Sequence, residues 1–474
     1  MRYIQGENRS QTALFPVSLD ELIPDDHLVR VIEAYVSLLD FEQLGFDKAR
    51  PKATGRPSYD PADLLKLYLY GYFQRIRSSR RLEAECQRNV EVMWLLGRLA
   101  PDFKTIADFR RDNSAAFTAT CRAFVRFCRN AGLIAGELVA IDGSKFQAVA
   151  SNRKQMTPKK LRHQEAVLDQ RIARYLAQLD EADRGEEGES IDRTAVQTAL
   201  RELQAKKADN QTCQGLMEAQ GLVQHIVGES DAQKMRTPSG KYVAYNIQSA
   251  VDAEHCLILH HEVTRDGADR QQLEPMAKAA KAELEQPQLD VTADAGYSNG
   301  EQFQACDDAG ITAFVPPNRS VNNQGDGAEF FDRTDFNYEQ QSDTYRCPDG
   351  KRLTLKQMNK GNRVYQASIS DCSVCPLKSR CTQTNRRYLT RHAHEAAFER
   401  MEQRMRDHPE MMTSRRSIVE HPFGNLKQWL FGNGRFLLRQ LKGAQAEMAL
   451  AVQAYNLKRA IKVLGAQKLI AMMG

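Results

Sequence analysis

The chain has 474 residues, of which 42% are hydrophobic and 27% are charged, and its formal net charge is +5. This length predicts two or three domains, each large enough to bury a core, and the composition excludes a chain that is disordered throughout. The small positive charge is compatible with nucleic-acid binding, but the positions of the basic residues matter more than their sum.

Neither a targeting sequence nor a membrane segment is evident. The first residues, MRYIQGENRSQTALFPV, contain no apolar region of a secretory signal, and no run of about 20 apolar residues predicts a membrane span. We therefore expect a cytoplasmic protein. In that reducing compartment, a cluster among the ten cysteines would indicate metal binding sooner than disulfides.

Residues 1–135 are predicted to be helical. After the GRPSYDP turn, Asp60 can cap a helix and Pro61 can take its first position. The segments SSRRLEAECQRN and APDFKTIADFRRDN then have the pattern of short basic helices, which suits a helix-turn-helix DNA-binding domain. A solvated helix face explains the same pattern, and both interpretations stay open. The candidate DNA-binding residues are Arg75, Arg77, Arg80, Arg81, Arg110 and Arg111.

From residue 136 the pattern changes to that of strands separated by helices, which predicts an α/β domain with a mixed sheet. The segment at 241–251 alternates apolar and other residues, as a half-buried strand does, and a helix is expected at 275–285. The predicted strands are LVAID (138–142), KYVAYNIQSAV (241–251), CLILHHEVT (256–264), LDVTAD (289–294) and TAFVPP (312–317).

A polar insertion, about 151–237, separates the first two strands. Leu168, Ile172, Leu176 and Leu179 recur at helical spacing, and the same spacing resumes from Val196 after EADRGEEGES. Two antiparallel helices joined by a solvated acidic loop are expected.

Two aspartates follow predicted strands directly. Asp142 comes after four apolar residues, where a carboxylate is costly unless it lies at an exposed strand end or serves a site. Asp294 repeats this setting. An Asp-Gly turn is the alternative for Asp142, and Asp252 in the same kind of position has the DAEH pattern of a hairpin turn.

A third acid, Glu420, lies among bases in TSRRSIVEHPFGNLKQWLFGNGRF. On one continuous helix, Arg416, Glu420 and Lys427 would share a face, whereas an ordinary ion pair between Arg416 and Glu420 is the structural alternative. Pro422 should kink this helix, or the helix begins near His421.

Four segments together resemble the DDE transposases of bacterial insertion sequences over nearly the whole chain. The family pattern Y-x2-R-x3-E-x6-K is matched by Arg416, Glu420 and Lys427, whereas Thr413 takes the tyrosine position. The segments are GRPSYDPADLLKLYLYGYFQRIRSSRRLE, AIDGSKFQAVAS, ADAGYSNG and RSIVEHPFGNLKQW.

The resemblance implies a ribonuclease H-like catalytic domain in which Asp142, Asp294 and Glu420 hold two Mg²⁺ or Mn²⁺ ions. Two such cations about 4 Å apart can activate an oxygen nucleophile and stabilise the leaving oxygen. Arg416 and Lys427 would bind DNA beside the scissile phosphate. The implied partners are double-stranded DNA, as element terminal repeats and as target, and a second copy in a synaptic homodimer, with the protein associated with the nucleoid.

Two other functions are compatible with the same residues: a catalytically inactive transposase-derived repressor, and a nuclease without strand transfer. The three intact acids speak against the repressor. The nuclease would share the acids and the fold, so only the reaction products distinguish it.

A basic segment at about 340–392 carries four cysteines, Cys347, Cys372, Cys375 and Cys381. The pair at 372 and 375 has the spacing of a zinc knuckle, so four thiolates could close a structural Zn²⁺ site. The alternative is a small basic subdomain with reduced cysteines, whose arginines, among them Arg387 and Arg391, contact DNA.

The predicted architecture is therefore a helical DNA-binding domain at 1–135 and a ribonuclease H-like α/β domain at 136–474. The latter contains the helical insertion and the cysteine-bearing segment. The amphipathic tail from Gln445 to Leu464 suits either packing on the core or dimerisation.

Overall fold

The computed structural model describes residues 17–51, 54, 57–184, 192–237, 240–318, 330–359 and 361–474. The first part of the predicted GRPSYDP turn and most of the acidic loop of the insertion lie outside these residues. Among the helices described, none is both long and apolar enough to cross a membrane.

In the described residues before β1, the regular elements are helices, as predicted. Asp60 caps the second helix by accepting a hydrogen bond from the backbone N–H of Ala62, and Pro61 is its first residue. That helix is buried along nearly its whole length. The helices are α1 (Leu28–Ser37), α2 (Pro61–Phe73), α3 (Ser79–Arg88), α4 (Val90–Leu95), α5 (Phe103–Asp112) and α6 (Ser114–Asn130).

A long helical hairpin follows the first strand and confirms the two helices predicted for the insertion. Two short strands pair at its base, and Lys207 Nζ lies 2.6 Å from Asp169 Oδ1 between the helices. The elements are β1 (Leu138–Gln147), β2 (Gln155–Met156), α7 (Pro158–Arg184), α8 (Arg193–Ala219) and β3 (His225–Ile226).

The central sheet is mixed. Its order is β4-β5-β1-β7-β8. β6 also pairs with β5, on the same side as β4 but with the later residues of β5. β1, β5 and β6 are antiparallel neighbours, whereas β1, β7 and β8 are parallel. This arrangement confirms the predicted ribonuclease H-like fold. The further elements are β4 (Gln233–Thr237), β5 (Gly240–Asp252), β6 (Ile258–Thr264), α9 (Leu273–Leu284), β7 (Leu289–Thr292), α10 (Gly300–Asp308) and β8 (Ile311–Phe314).

The cysteine-bearing segment is a β-subdomain, which the sequence did not predict. Five antiparallel strands in the order β13-β12-β11-β10-β9 cover a small separate core that includes Tyr345, Leu353 and Tyr365. The elements are β9 (Asn337–Glu339), β10 (Thr344–Arg346), β11 (Arg352–Asn359), β12 (Asn362–Ala367), α11 (Ile369–Ser373) and β13 (Tyr388–Arg391).

The carboxyl-terminal helices join the front to the sheet. The longest of them, α14, is buried from Ala444 to Ala460 against α2, α6 and β6, so the predicted amphipathic tail packs on the core. One hydrophobic core extends from Ile23 to Met473, and the front and the sheet therefore share it. The helices are α12 (Glu395–Asp407), α13 (Met411–Gly424), α14 (Gln440–Leu464) and α15 (Ala466–Met473), with a π-helical turn at Asn425–Leu430.

Candidate active site

Asp142 and Asp294 lie beside each other on the central sheet. The first strand, predicted to end at 142, continues to Gln147, so the alternative of an Asp-Gly turn at Asp142 is wrong. β1 and β7 are parallel neighbours with Ala140 opposite Thr292, and each aspartate follows two residues later. Both face Arg415 on α13, whose Nη2 lies 2.9 Å from Asp142 Oδ1 and 3.6 Å from Asp294 Oδ2. The parallel register therefore brings the two predicted acids onto one cationic group.

The two carboxylates differ in environment. Burial raises the pKa of Asp142 to about 6, although Arg415 and the backbone N–H of Gly143 oppose this shift. The side chain of Asp294 is 46% exposed, and its Oδ1 accepts a hydrogen bond of 2.7 Å from the N–H of Gly296. Asp142 is thus half-buried, with 22% of its side chain exposed, whereas Asp294 is more open to solvent.

Glu420 lines a cavity of about 260 Å³ together with Asp142, Ser144 and Lys427. Lys427 Nζ donates to Ser144 Oγ at 3.2 Å. The structure thus places the third predicted acid and one predicted DNA-binding base beside the first acid.

The helix that carries Glu420 does not begin near His421, so that alternative is wrong. α13 continues through Pro422 to Gly424, and the π-helical turn follows directly. Lys427 lies in this wider turn, and turns of this kind are frequent at functional sites.

Arg416 does not line the cavity. It is exposed on the outer face of α13, whereas the adjacent Arg415 is buried and contacts the aspartates. Sequence reasoning missed Arg415, although a signal was present: Arg415, Ile418, Val419 and Pro422 have the spacing of the inward face of one helix.

The arginines of the front fall into two groups. Arg110 is 5% exposed, lies over the ring of Tyr68 and donates to the carbonyl oxygen of Arg77. Its predicted role in DNA binding is therefore wrong, because its guanidinium group is inside the core. Arg77 pairs with the buried Glu447 at 3.1 Å. The predicted residues that remain at the surface are Arg75, Arg80, Arg81 and Arg111.

The four cysteines of the β-subdomain are free thiols, and three of them, Cys347, Cys372 and Cys381, pack against its small core. In the described parts of the chain, no three Cys, His, Asp or Glu side chains lie close enough to hold a metal ion. The structure does not support the predicted zinc site. Nor do Arg387 and Arg391 offer a free surface, because Arg387 is 9% exposed and Arg391 pairs with Glu399.

An acid that the sequence analysis did not select, Asp269, lies beside the aspartates. Its carboxylate accepts hydrogen bonds from Asn246 Nδ2 at 2.7 Å, Gln248 Nε2 at 2.8 Å and Lys145 Nζ at 3.1 Å. Asp269 comes shortly after β6, as Asp294 comes shortly after β7, but the surrounding TRDGAD has the composition of an ordinary turn.

The donor set suits a hard divalent cation. Mg²⁺ and Mn²⁺ prefer carboxylate oxygens, and Asp142 and Asp294 already share the positive charge of Arg415. With Arg415 between them, these acids and Glu420 do not form a closed metal-ligand group in the described residues. Asp142, Asp294 and Glu420 would hold the cation once Arg415 withdraws from the carboxylates.

Comparison with known proteins identifies the family. A model described as "Transposase DDE domain" matches residues 191–457, and one described as "Transposase domain (DUF772)" matches residues 17–112. No curated protein matches the chain. A solved cryo-EM structure of a piggyBac transposase synaptic complex with hairpin DNA is similar over 96% of this chain and 77% of that chain. At an identity of 9% and a TM-score of 0.28, this similarity establishes neither the fold nor the function of the chain.

The DDE match includes Asp294 and Glu420 and begins after Asp142. It covers more than half of the chain. The protein therefore belongs to the family of DDE transposases.

Proposed function

We propose that this protein is the transposase of a bacterial insertion sequence. It binds the ends of the element and catalyses DNA cleavage and strand transfer at Asp142, Asp294 and Glu420. The observation that carries this proposal is the convergence of Asp142 and Asp294 on Arg415, with Glu420 lining the cavity beside Asp142.

In the reaction, water attacks a phosphodiester bond at the element end and frees a 3′-OH, which then attacks a phosphodiester of the target DNA. Two divalent cations held by the three acids would activate the attacking oxygen and stabilise the leaving oxygen. Lys427 at the cavity would hold the scissile phosphate by its charge, since Lys427 Nζ lies next to Ser144 rather than in an ion pair. The exposed Arg416 would contact the neighbouring phosphate.

The terminal repeats would bind along the front through its exposed arginines Arg80, Arg81 and Arg111. Arg80 lies over the ring of Phe103. Arg111 pairs with Asp108 and Asp112, so a DNA phosphate would have to displace these two carboxylates to bind Arg111. A homodimer would hold two element ends together, and the protein would be associated with the nucleoid.

The test uses a labelled DNA duplex that contains the ends of the element, taken from the DNA on either side of the gene. The protein is incubated with this duplex, a target duplex and Mg²⁺. We expect Asp142→Asn and Asp294→Asn to lower cleavage by on the order of 100-fold or more, since each removes a carboxylate that would hold the cations stabilising the transition state. Asp252→Asn is the matched control, because Asp252 is a fully buried acid in a hairpin turn and accepts from the N–H groups of Glu254 and His255.

Other outcomes of this assay would contradict the proposal. Cleavage without joining would indicate a nuclease. Binding without cleavage by the wild type would indicate a repressor. Cleavage by Asp142→Asn at the wild-type rate would show that the site is wrongly assigned.

A further inference from the structure

Asp269 is firmly held on the face of the sheet that Gly143 and Lys145 share. Its side chain is 21% exposed, and three side-chain donors, on Asn246, Gln248 and Lys145, converge on its carboxylate. A carboxylate that accepts several charge-assisted or amide hydrogen bonds in a partly buried position has little freedom to move. The position of Asp269 is therefore fixed by β1 and β5.

The same carboxylate lies close to the backbone beside each aspartate. A Cβ on Gly143 would come within 2.8 Å of Asp269 Oδ1, and a Cβ on Gly296 would lie 3.9 Å from Asp269 Oδ2 and 2.8 Å from Asp294 Oδ1. Gly143 directly follows Asp142 within β1, and Gly296 is in the short turn that follows Asp294. Asp269 thus lies between the strand of Asp142 and the turn of Asp294, where side chains at these glycines would otherwise project.

Hydrogen bonds connect Asp269 to β1 and to the turn of Asp294. Lys145, on the strand of Asp142, donates to Asp269. The hydroxyl of Tyr297, in the turn of Asp294, donates to Gln248 Oε1, and the amide of Gln248 donates to Asp269. The network therefore extends from Lys145, three residues after Asp142, to Tyr297, three residues after Asp294.

We propose that Asp269 is a positioning residue, which sets the distance between Asp142 and Asp294 and so their affinity for a divalent cation. The proposal rests on the proposed function of these two acids as metal ligands. Partners that orient metal ligands commonly contribute about 10- to 100-fold in metal affinity. Without Asp269, the ammonium group of Lys145 and the amides of Asn246 and Gln248 would lose their shared acceptor, and the network would no longer join β1 to the turn of Asp294.

The test is a calorimetric titration of the metal-free protein with Mn²⁺, without DNA. We expect Asp269→Asn to bind Mn²⁺ about 10- to 100-fold more weakly than the wild type, because the amide has one acceptor oxygen and no charge for Lys145. Asp142→Asn should bind more weakly still. Asp252→Asn, which alters a buried acid outside the network, should bind within about threefold of the wild type, and thermal unfolding confirms that each variant is folded.

An Asp269→Asn variant with the wild-type affinity for Mn²⁺ would overturn the proposal, as would an equal loss in Asp252→Asn. If Asp269→Asn does not fold, Tyr297→Phe replaces it, because this variant removes only the hydroxyl link to Gln248. Unchanged Mn²⁺ affinity in Tyr297→Phe would then overturn the proposal. A wild type that binds Mn²⁺ but does not cleave DNA would contradict the proposed function and leave the role of Asp269 standing.

Discussion

Several charged residues of this protein are largely shielded from solvent, where the partner of each charge determines its effect on stability and activity. At the site the buried Arg415 pairs with the half-buried Asp142, and Arg110, Arg77 and Glu447 form a second internal group under the front. A buried charge without a partner is costly. Substitutions within these groups should therefore affect stability as well as activity.

Removing Arg415 should make the metal-free protein depend on a divalent cation for stability. In Arg415→Gln, the two aspartates lose their shared counter-charge, and we expect a loss of about 2 kcal/mol in the free energy of unfolding. Mn²⁺ should restore more stability in this variant than in the wild type. Urea unfolding with and without Mn²⁺ measures both effects. The adjacent, exposed Arg416→Gln is the control, and an equal response of the two variants would contradict the prediction.

Removing Glu447 should be among the most destabilising single changes. The carboxylate of Glu447 is fully buried, pairs with Arg77 and accepts hydrogen bonds from the N–H groups of Leu437 and Leu438. Glu447→Ala leaves the guanidinium of Arg77 without this partner, and we expect a loss of about 3 to 5 kcal/mol. Chemical denaturation measures it. Lys442→Ala, at an exposed position of the same helix, should change stability by less than about 0.5 kcal/mol.

At the scale of elements, strands with an apolar pattern were predicted well, whereas short polar strands were missed. The predicted central strands were recognisable by runs of apolar residues, as in β1, or by alternating ones, as in 241–251. β11 of the β-subdomain, in contrast, alternates only at Leu353 and Leu355 and is exposed along nearly all its length, so its apolar pattern is too short to detect. β5 was predicted to be half-buried, yet both its faces are covered from Val243 to Asp252, because α9 and α13 also pack against it.

β6 should make the protein sensitive to acid. Burial lowers the pKa of His260 to about 4 and that of His261 to about 3, with Arg122 contributing to both. Unfolded histidines titrate near 6.5, so the unfolded chain takes up two protons that the folded chain does not. The contribution of the two histidines to the free energy of unfolding is therefore fully present above pH 6.5. It is lost as the pH decreases toward 4, by up to about 1.4 kcal/mol per pH unit for each histidine.

Urea unfolding between pH 7 and pH 4.5 measures this slope. His260→Gln should remove about half of the contribution from the pair. The exposed His163, on α7, offers the control, since His163→Gln should leave the slope unchanged. If both variants have the slope of the wild type, the two buried histidines are not its cause.

The helical hairpin should be dispensable for folding. Its buried residues Leu161, Leu203 and Met217 lie outside the main core of the described residues, and β2 and β3 hold its ends together. Replacing Pro158–Leu222 by a short Gly-Ser linker should therefore change the free energy of unfolding by less than about 1 kcal/mol. Calorimetry measures this, and a broadened or lost transition would show that the hairpin stabilises the rest.

At the scale of the whole molecule, the front and the sheet share one core because α14 packs against both. A chain that ends at Arg439 should consequently expose the apolar surfaces of α2 and α6 and fail to fold. Circular dichroism and binding of a hydrophobic dye measure this outcome. The hairpin deletion serves as the control for loss of a long helical segment, and a cooperative transition in the truncated chain would contradict the shared core.

The sequence by itself determined the class of fold and the family, and it selected three acids as candidates, because apolar patterns and the acids next to them are local properties of the chain. Asp142 and Asp294 needed only the parallel register of β1 and β7 to meet. Only the tertiary structure decided that Arg415 rather than Arg416 faces the aspartates, that Arg110 lies inside, and that Asp269 accepts hydrogen bonds from β1 and β5. These outcomes depend on which helix or loop packs against the sheet from a distant part of the chain.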